Sequence, residues 1–246
     1  MPANEWYKNW FNSPFYHKLY FERDESEAKN FIKKLVDHLQ PAAGCRMLDI
    51  ACGKGRHSKI LASFGFDVTG FDISADSIEE ANRSATEQLH FYVHDMRLPF
   101  WVNYYDFAFN FFTSFGYFST RREHDDAIRT IAASIKKGGT VLFDYLNVHY
   151  AEDHLIHNEV KSIDDTHYEI HRWHNDQHFF KKMIVTDPTL SGPVEFTEQV
   201  AKFSLGDFTE MLAFQKMQVT EVFGDYKLNA YHISGTPRMI VAATKI

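Results

Sequence analysis

Three aspartates and two glycines carry the densest chemistry in this chain of 246 residues: Asp49, Asp72 and Asp95, with Gly53 and Gly55 just after the first. Asp49 lies in a short apolar run, residues 47–50, and the glycines follow in Gly-x-Gly spacing. Residues 58–64 then place Ile60, Leu61 and Phe64 at helical spacing, which predicts a helix burying all three. Strand, glycine turn and helix form the entrance to a doubly wound α/β domain, where ligands bind outside the carboxyl ends of the strands. Glycine lets the backbone turn tightly and lets a ligand approach with no Cβ between them. Ser58 stands where a dinucleotide fingerprint has its third glycine. The charge of Asp49 would repel a pyrophosphate and suits a positively charged ligand group. Both features disfavour a nicotinamide oxidoreductase. Asp72 ends the next apolar run, where it can accept hydrogen bonds from both hydroxyls of a ribose.

The elements that must position these residues follow from periodicity. Apolar residues at 28, 31, 32, 35, 36 and 39 predict an amphipathic helix, capped by Ser26 and ended by Pro41 and Gly44. Strands are expected at 46–50, 67–72, 89–94, 106–112 and 140–145, and helices at 57–64, 76–86 and 121–135. Gly138-Gly139 reads as a turn into the fifth strand. Residues 113–118 form a loop at the carboxyl edge of the sheet.

Here the chain resembles the class I S-adenosylmethionine-dependent methyltransferases. Asp49-Ile50-Ala51-Cys52-Gly53-Lys54-Gly55 looks like that family's Asp-x-x-x-Gly-x-Gly motif, Asp72 sits at its ribose-binding acid, and Asp95-Met96 looks like the pair that brackets the adenine. The resemblance runs from about residue 28 to 246, with one insertion. It implies a Rossmann-like, doubly wound seven-stranded sheet in the order 3-2-1-4-5-7-6, the last strand antiparallel. It also implies S-adenosyl-L-methionine as cofactor and S-adenosyl-L-homocysteine as product. The implied cofactor-binding set is Asp49, Ala51, Cys52, Gly53, Gly55, Arg56 and His57 from the first motif, with Asp72 and Ile73 from the second. Asp95 and Met96 come from the third, Asn110 and Phe111 from the end of the fourth strand. Tyr16 and Tyr20 would reach the methionine end from an aromatic N-terminal segment, residues 1–25, that caps the cofactor.

Residues 157–203 change pattern: Tyr168, Ile170 and Arg172 alternate, Asn175-Asp176-Gln177 is a turn, and Phe180, Met183 and Val185 follow. They read as an antiparallel β insertion over the acceptor site of one methyltransferase domain, residues 1–246. A helix at 204–211 and strands at 219–223 and 239–244 complete the fold. His167, His171, His174 and His178 invite a metal reading, but in strands His174 points away from His167 and His171, so no metal site is expected.

Methyl transfer from a sulfonium is an in-line displacement that needs alignment and exclusion of water more than a strong base. Phe111, Phe112, Phe115 and Tyr117 are candidates for an aromatic wall that tolerates the sulfonium. Tyr226 and His232, in a late loop, are the remaining candidates for a catalytic base. The acceptor loop has Asn110-Phe111-Phe112-Thr113, not the Asp/Asn-Pro-Pro-Tyr of methyltransferases acting on exocyclic nucleobase amines. With a net charge of −7 the chain has no global attraction to nucleic acid. A small-molecule acceptor is therefore expected, without a nucleic-acid or membrane partner, in a cytoplasmic monomer or homodimer. An RNA or protein methyltransferase and a catalytically inactive cofactor-binding module are the alternatives. Two cysteines cannot frame a disulfide scaffold, and Cys45 and Cys52 read as reduced packing residues.

Overall fold

The apolar run that ends near Asp49 is a central strand, buried on both faces because helices cover both sides of the sheet. The structure, a computed structural model, describes residues 6–20, 25–111 and 113–246. Parallel strands β1 (Arg46–Ile50), β2 (Asp67–Asp72), β3 (Leu89–Val93), β4 (Tyr105–Asn110) and β5 (Ile135–Leu146) are joined by helices α4 (Arg56–Ser63), α5 (Ala75–Asn82) and α6 (Arg121–Ser134). Strands β10 (Met217–Phe223) and β11 (Arg238–Lys245) complete the sheet in the order β3-β2-β1-β4-β5-β11-β10, with β11 antiparallel to both neighbours. This is the expected order, 3-2-1-4-5-7-6. Along β1, Met47 packs under α3 (Glu25–Leu39) and α4, whereas Leu48 and Ile50 pack on the opposite side with α6 and α8 (Leu205–Phe214).

Four strands form a separate antiparallel sheet in the order β6 (Asn158–Ile163), β7 (Thr166–His174), β8 (His178–Thr186) and β9 (Val194–Ala201). It follows the short helix α7 (Val148–Asp153), which periodicity did not foresee. One face of this sheet buries Tyr168, Ile170, Met183 and Val185 completely. Those side chains pack on the two N-terminal helices, α1 (Trp6–Phe11) and α2 (Pro14–Leu19), around Trp10. Ser13 caps α2 by accepting from the Phe15 amide, with Pro14 opening the helix. Polar pins join helices to sheet: the Trp10 indole N–H donates to Glu198 over 2.6 Å, Tyr168 donates to the Phe15 carbonyl at 3.0 Å, and Lys18 pairs with Asp164 at 3.2 Å.

Several expected boundaries shift for local reasons. Glu25 opens α3, so Ser26 lies inside the first turn and does not cap it. Phe64 falls past the end of α4 and is exposed, leaving Leu61 as the fully buried residue of the expected trio. Helix α5 ends at Asn82, where Arg83–Ala85 amides turn back to carbonyls three residues earlier. Strand β4 stops at Asn110, so Phe111 is outside it, and Phe112 lies outside the described residues, as does Phe21 of the aromatic segment. Gly138-Gly139 does not precede β5: it is a register irregularity inside it, with Gly138 at φ +80°. Phe180 points to the outer face of the inserted sheet, stacked on Trp173, opposite to Met183. Both cysteines are free thiols. Among the described residues no helix is long and apolar enough to cross a membrane.

Candidate active site

The backbone between β1 and α4 makes the floor of the site. Ala51, Gly53 and Gly55 all take positive φ (57°, 55° and 75°), which curls the chain through the turn. A Cβ on Gly53 would meet no protein atom within 4 Å, so this position leaves open space beside the cavity. Gly55 is needed for packing instead: a Cβ there would lie 2.5 Å from the Phe91 ring. Asp49 is buried to 1%, with its Oδ2 accepting from the Ser58 hydroxyl at 2.5 Å. The serine in place of a third glycine thus holds the motif's carboxylate. Burial pushes the Asp49 carboxyl up to about 7, against the opposing hydrogen bonds from Ser58.

Asp72 closes β2 above the turn. One carboxylate oxygen accepts from the Gly53 amide at 2.9 Å and the other from the Ser74 amide at 2.8 Å. Each oxygen keeps a further lone pair for a hydroxyl. Desolvation raises this carboxyl too, opposed by the Ser74 and Gly53 amides. Cys52 lies between the two acids, and burial together with their charges pushes its thiol well above the ordinary range, so it is not a nucleophile.

These groups open on a cavity of about 450 Å³. Its floor is Asp49, Ala51, Cys52, Gly53, Arg56 and His57; Asp72, Ile73, Asp95 and Met96 form one wall. Phe111, its ring tilted 34° against that of His57 at 4.3 Å, forms another with Thr113, Ser114, Tyr117 and Phe118. The N-terminal helices and the turn after them roof it with Tyr7, Phe11, Tyr16, His17 and Tyr20. The roof and the loop interlock edge to face: Trp6 on Tyr117 at 5.1 Å, Tyr7 on Phe118 at 6.4 Å.

Thirteen of the fifteen expected cofactor residues therefore line one cavity. Gly55 and Asn110 do not line it: the first packs on Phe91, and the second, 1% exposed, donates to the Ile50 carbonyl at 3.0 Å, tying β4 to β1. Asp95 faces the cavity but is gripped by the Arg97 guanidinium at 2.6 Å. Burial works upward on this carboxyl, yet the Arg97 hydrogen bonds outweigh it and hold it low. Phe115 leaves the aromatic wall for the core, packed with Phe143, Phe203 and Phe208. Tyr226 and His232 do not line this cavity. The Tyr226 hydroxyl donates to the buried Asp144 at 3.0 Å, beside Arg238, and burial pushes its phenol far up, which unfits it as a base. It borders a separate cavity of about 290 Å³ that shares Arg56 and His57. His232 is exposed, and it is its backbone carbonyl that is used, by Asn147 at 3.1 Å. The four histidines of the inserted sheet have separate neighbours: His167 meets Ser162, His171 meets Asn158, His174 meets Lys202, and the His178 ring lies 5.9 Å from that of Phe180.

Sequence reasoning missed Ser74, Ser77, His94 and His17. Ser74 could have been found as a cap, being the serine two residues after Asp72; its side chain accepts from Ser77 and donates to Asn12 of the roof. His94 and His17 carry no comparable signal.

A family model described as a methyltransferase domain matches residues 20–183, two thirds of the chain. The chain belongs to this methyltransferase family. Curated relatives include a putative methyltransferase of Geobacillus sp. (strain WCH70), 27% identical over 154 residues, covering 61% of this chain and 62% of the relative. Another is the putative methyltransferase YqeM of Bacillus subtilis, 31% identical over 114 residues, 45% of this chain and 46% of the relative. The chain therefore matches less than two thirds of the length of these relatives. Among solved structures, an S-adenosylmethionine-dependent methyltransferase from Clostridium acetobutylicum superposes with a TM-score of 0.76 at 16% identity, over 94% of this chain and 96% of that one. CalS10, an amino pentose methyltransferase of Micromonospora echinaspora, does so with a TM-score of 0.66 at 19% identity, over 95% and 98%. At such identities these likenesses establish the fold, that of the class I methyltransferases. The methyltransferase motif residues and the cavity coincide, which is the fit the family's cofactor requires.

Proposed function

We propose that this chain is an S-adenosylmethionine-dependent methyltransferase that transfers the methyl group to a small-molecule acceptor. The observation that carries the reading is the cavity itself: two desolvated carboxylates, Asp49 and Asp72, flank a glycine turn under a roof of aromatic rings. Asp72 would take both ribose hydroxyls on its remaining lone pairs, Met96 would pack on the adenine, and Asp49 would face a positive group of the amino-acid end. When bound, S-adenosylmethionine supplies a methyl group already activated on a sulfonium. The remaining work falls to this chain: Tyr7, Phe11, Tyr16 and Tyr20 exclude water, and Thr113, Ser114, Tyr117 and Phe118 set the position of the nucleophile. The inserted β6–β9 sheet serves as a cover for the acceptor, because it carries the roof on its buried face. The neighbour CalS10, an amino pentose methyltransferase, supports an acceptor of small-molecule size.

Titration calorimetry with S-adenosylhomocysteine tests the cofactor half of this reading, and a folded protein that does not bind it would refute it. Incubation of fractionated metabolite extracts with methyl-labelled S-adenosylmethionine tests the acceptor half. Label should appear in a low-molecular-mass product; label confined to RNA or protein would overturn the small-molecule assignment.

A further inference from the structure

Ser74 belongs to the floor of the cavity and also touches the roof. It follows Asp72 by two residues, caps α5 and lines the cavity. Its amide donates to Asp72 Oδ1 at 2.8 Å, while Oδ2 accepts from the Gly53 amide at 2.9 Å. Its Oγ accepts from the Ser77 amide at 3.2 Å, which closes the first turn of α5. Its hydroxyl hydrogen goes to Oδ1 of Asn12, in the turn between α1 and α2. Phe11 and Tyr16, on either side of that turn, line the cavity, whereas Asn12 does not.

A serine hydroxyl has one hydrogen to give. Given to Asn12, it is not spent on Asp72, which keeps its remaining lone pairs for a ligand. Ser74 is 4% exposed, so its position is set by these three bonds and little by water. The other described pins of the roof run elsewhere. Trp10 and the Phe15 carbonyl bind the inserted sheet through Glu198 and Tyr168, and Trp6 and Tyr7 pack on Tyr117 and Phe118 beyond β4. Asn12 ties the segment that carries the aromatic roof to the residue that holds the ribose acid.

We infer that Asn12 is a positioning residue for the cofactor: by accepting the Ser74 hydroxyl hydrogen it fixes Ser74 on Asp72 and catches the roof shut over the ribose end. The bond joins roof to floor, so it must break before the roof can lift, and it acts on escape of the ligand more than on its entry. A residue outside the cavity, which no cofactor motif marks, thus sets how long the cofactor stays. This inference rests on the methyltransferase reading above.

The test is calorimetric titration of the full chain with S-adenosylhomocysteine, paired with a chase of the labelled compound by excess unlabelled compound. Asn12→Ala should weaken binding by about tenfold, the loss of one hydrogen bond. The chase should quicken by the same factor, with the association rate kept within about twofold. Asn12 is exposed, so the melting temperature of the unliganded protein should not change. Asn12→Asp keeps an acceptor oxygen and should bind within about twofold of wild type. Ser74→Gly removes the hydroxyl, keeps the amide that holds Asp72 and caps a helix nearly as well, so it should match Asn12→Ala. The double variant should be no weaker than either single one, because both remove the same bond. Full affinity in Asn12→Ala, a loss carried by slower association, or additive losses would overturn the inference while leaving the cofactor assignment intact. Should Asn12→Ala fail to fold, Ser74→Gly decides: a faster chase supports the catch, and an unchanged one overturns it. A folded wild type that does not bind S-adenosylhomocysteine refutes the methyltransferase reading and this inference with it.

Discussion

The floor and the roof of the cavity are built by opposite means. The floor uses backbone: positive φ at Ala51, Gly53 and Gly55, amides from Gly53 and Ser74 on Asp72, and contacts within some twenty-five residues of sequence. The roof uses side chains, aromatic rings from residues 6–20 packed on strands near residues 168–198. A floor of this kind tolerates little change in residue type at a few positions. A roof of packed rings depends on shape across a wide area and tolerates exchange at any single surface position. The same cavity is therefore specified sharply at its floor and loosely at its roof.

That contrast can be broken first at Trp10. Trp10→Ala should destabilise the roof and inserted sheet by about 3–5 kcal/mol, the range for a buried aromatic truncated in a core. Hydrogen exchange should then quicken in β7–β9 and stay slow in β1, β2 and β4. Equal loss in both sheets would mean that the two regions are one cooperative unit. Next in size, Asp72→Ala should cost about 2–4 kcal/mol of S-adenosylhomocysteine affinity by calorimetry, with thermal stability kept. Gly55→Ala should lower stability by roughly 2–3 kcal/mol, read from the denaturant midpoint, because it sets a Cβ against Phe91 at a left-handed φ.

The effect of pH should be smaller and confined to the floor. Asp49, raised to about 7, gains its proton as pH falls from 8 to 6, so affinity for a ligand with a positive group should drop by at most about tenfold per unit. Asp49→Asn should flatten that profile. The sign for stability is opposite. The folded state holds the Asp49 proton more tightly than the unfolded chain does. Its stabilising contribution is full below the ordinary aspartate value and is lost as pH rises to about 7, and Asp49→Asn should melt higher than wild type above that pH. Smallest of all, His232→Ala should change affinity and turnover less than about threefold, since the site uses its backbone and not its ring.

The floor was legible in sequence because its signals are local. Asp49, the glycines and Asp72 stand at spacings fixed by a strand, a turn and a helix. The strand order followed from recognising that unit and the resemblance it carries. Legibility failed where distant contacts decide. Nothing near Asp95 shows that Arg97 will grip it with one side of its guanidinium and Glu123 with the other side. Phe115 and Tyr117 look alike in a loop, yet Phe115 turns inward because the segment after β9 and helix α8 offer Phe203 and Phe208, and Tyr117 turns to the cavity because Trp6 and Phe11 stand there. Asn110 and Tyr226 lie off this cavity for the same reason: each spends its polar group on a neighbour far along the chain, Ile50 and Asp144. The aromatic density of the first twenty residues was visible, but not that it forms the core of the inserted sheet.

The hydrogen bond from Trp10 to Glu198 joins positions 188 residues apart. During synthesis, α1 and α2 must wait for β7, β8 and β9 before their rings have anything to pack against, whereas β1, α4 and β2 can assemble as soon as they emerge. Trp6 and Phe11 gain Tyr117 midway through that interval, whereas Trp10 waits for Phe196 of β9. The nascent chain should therefore carry a greasy, chaperone-attracting segment until its last quarter is made, and enclosure of the cavity should be the final event of folding.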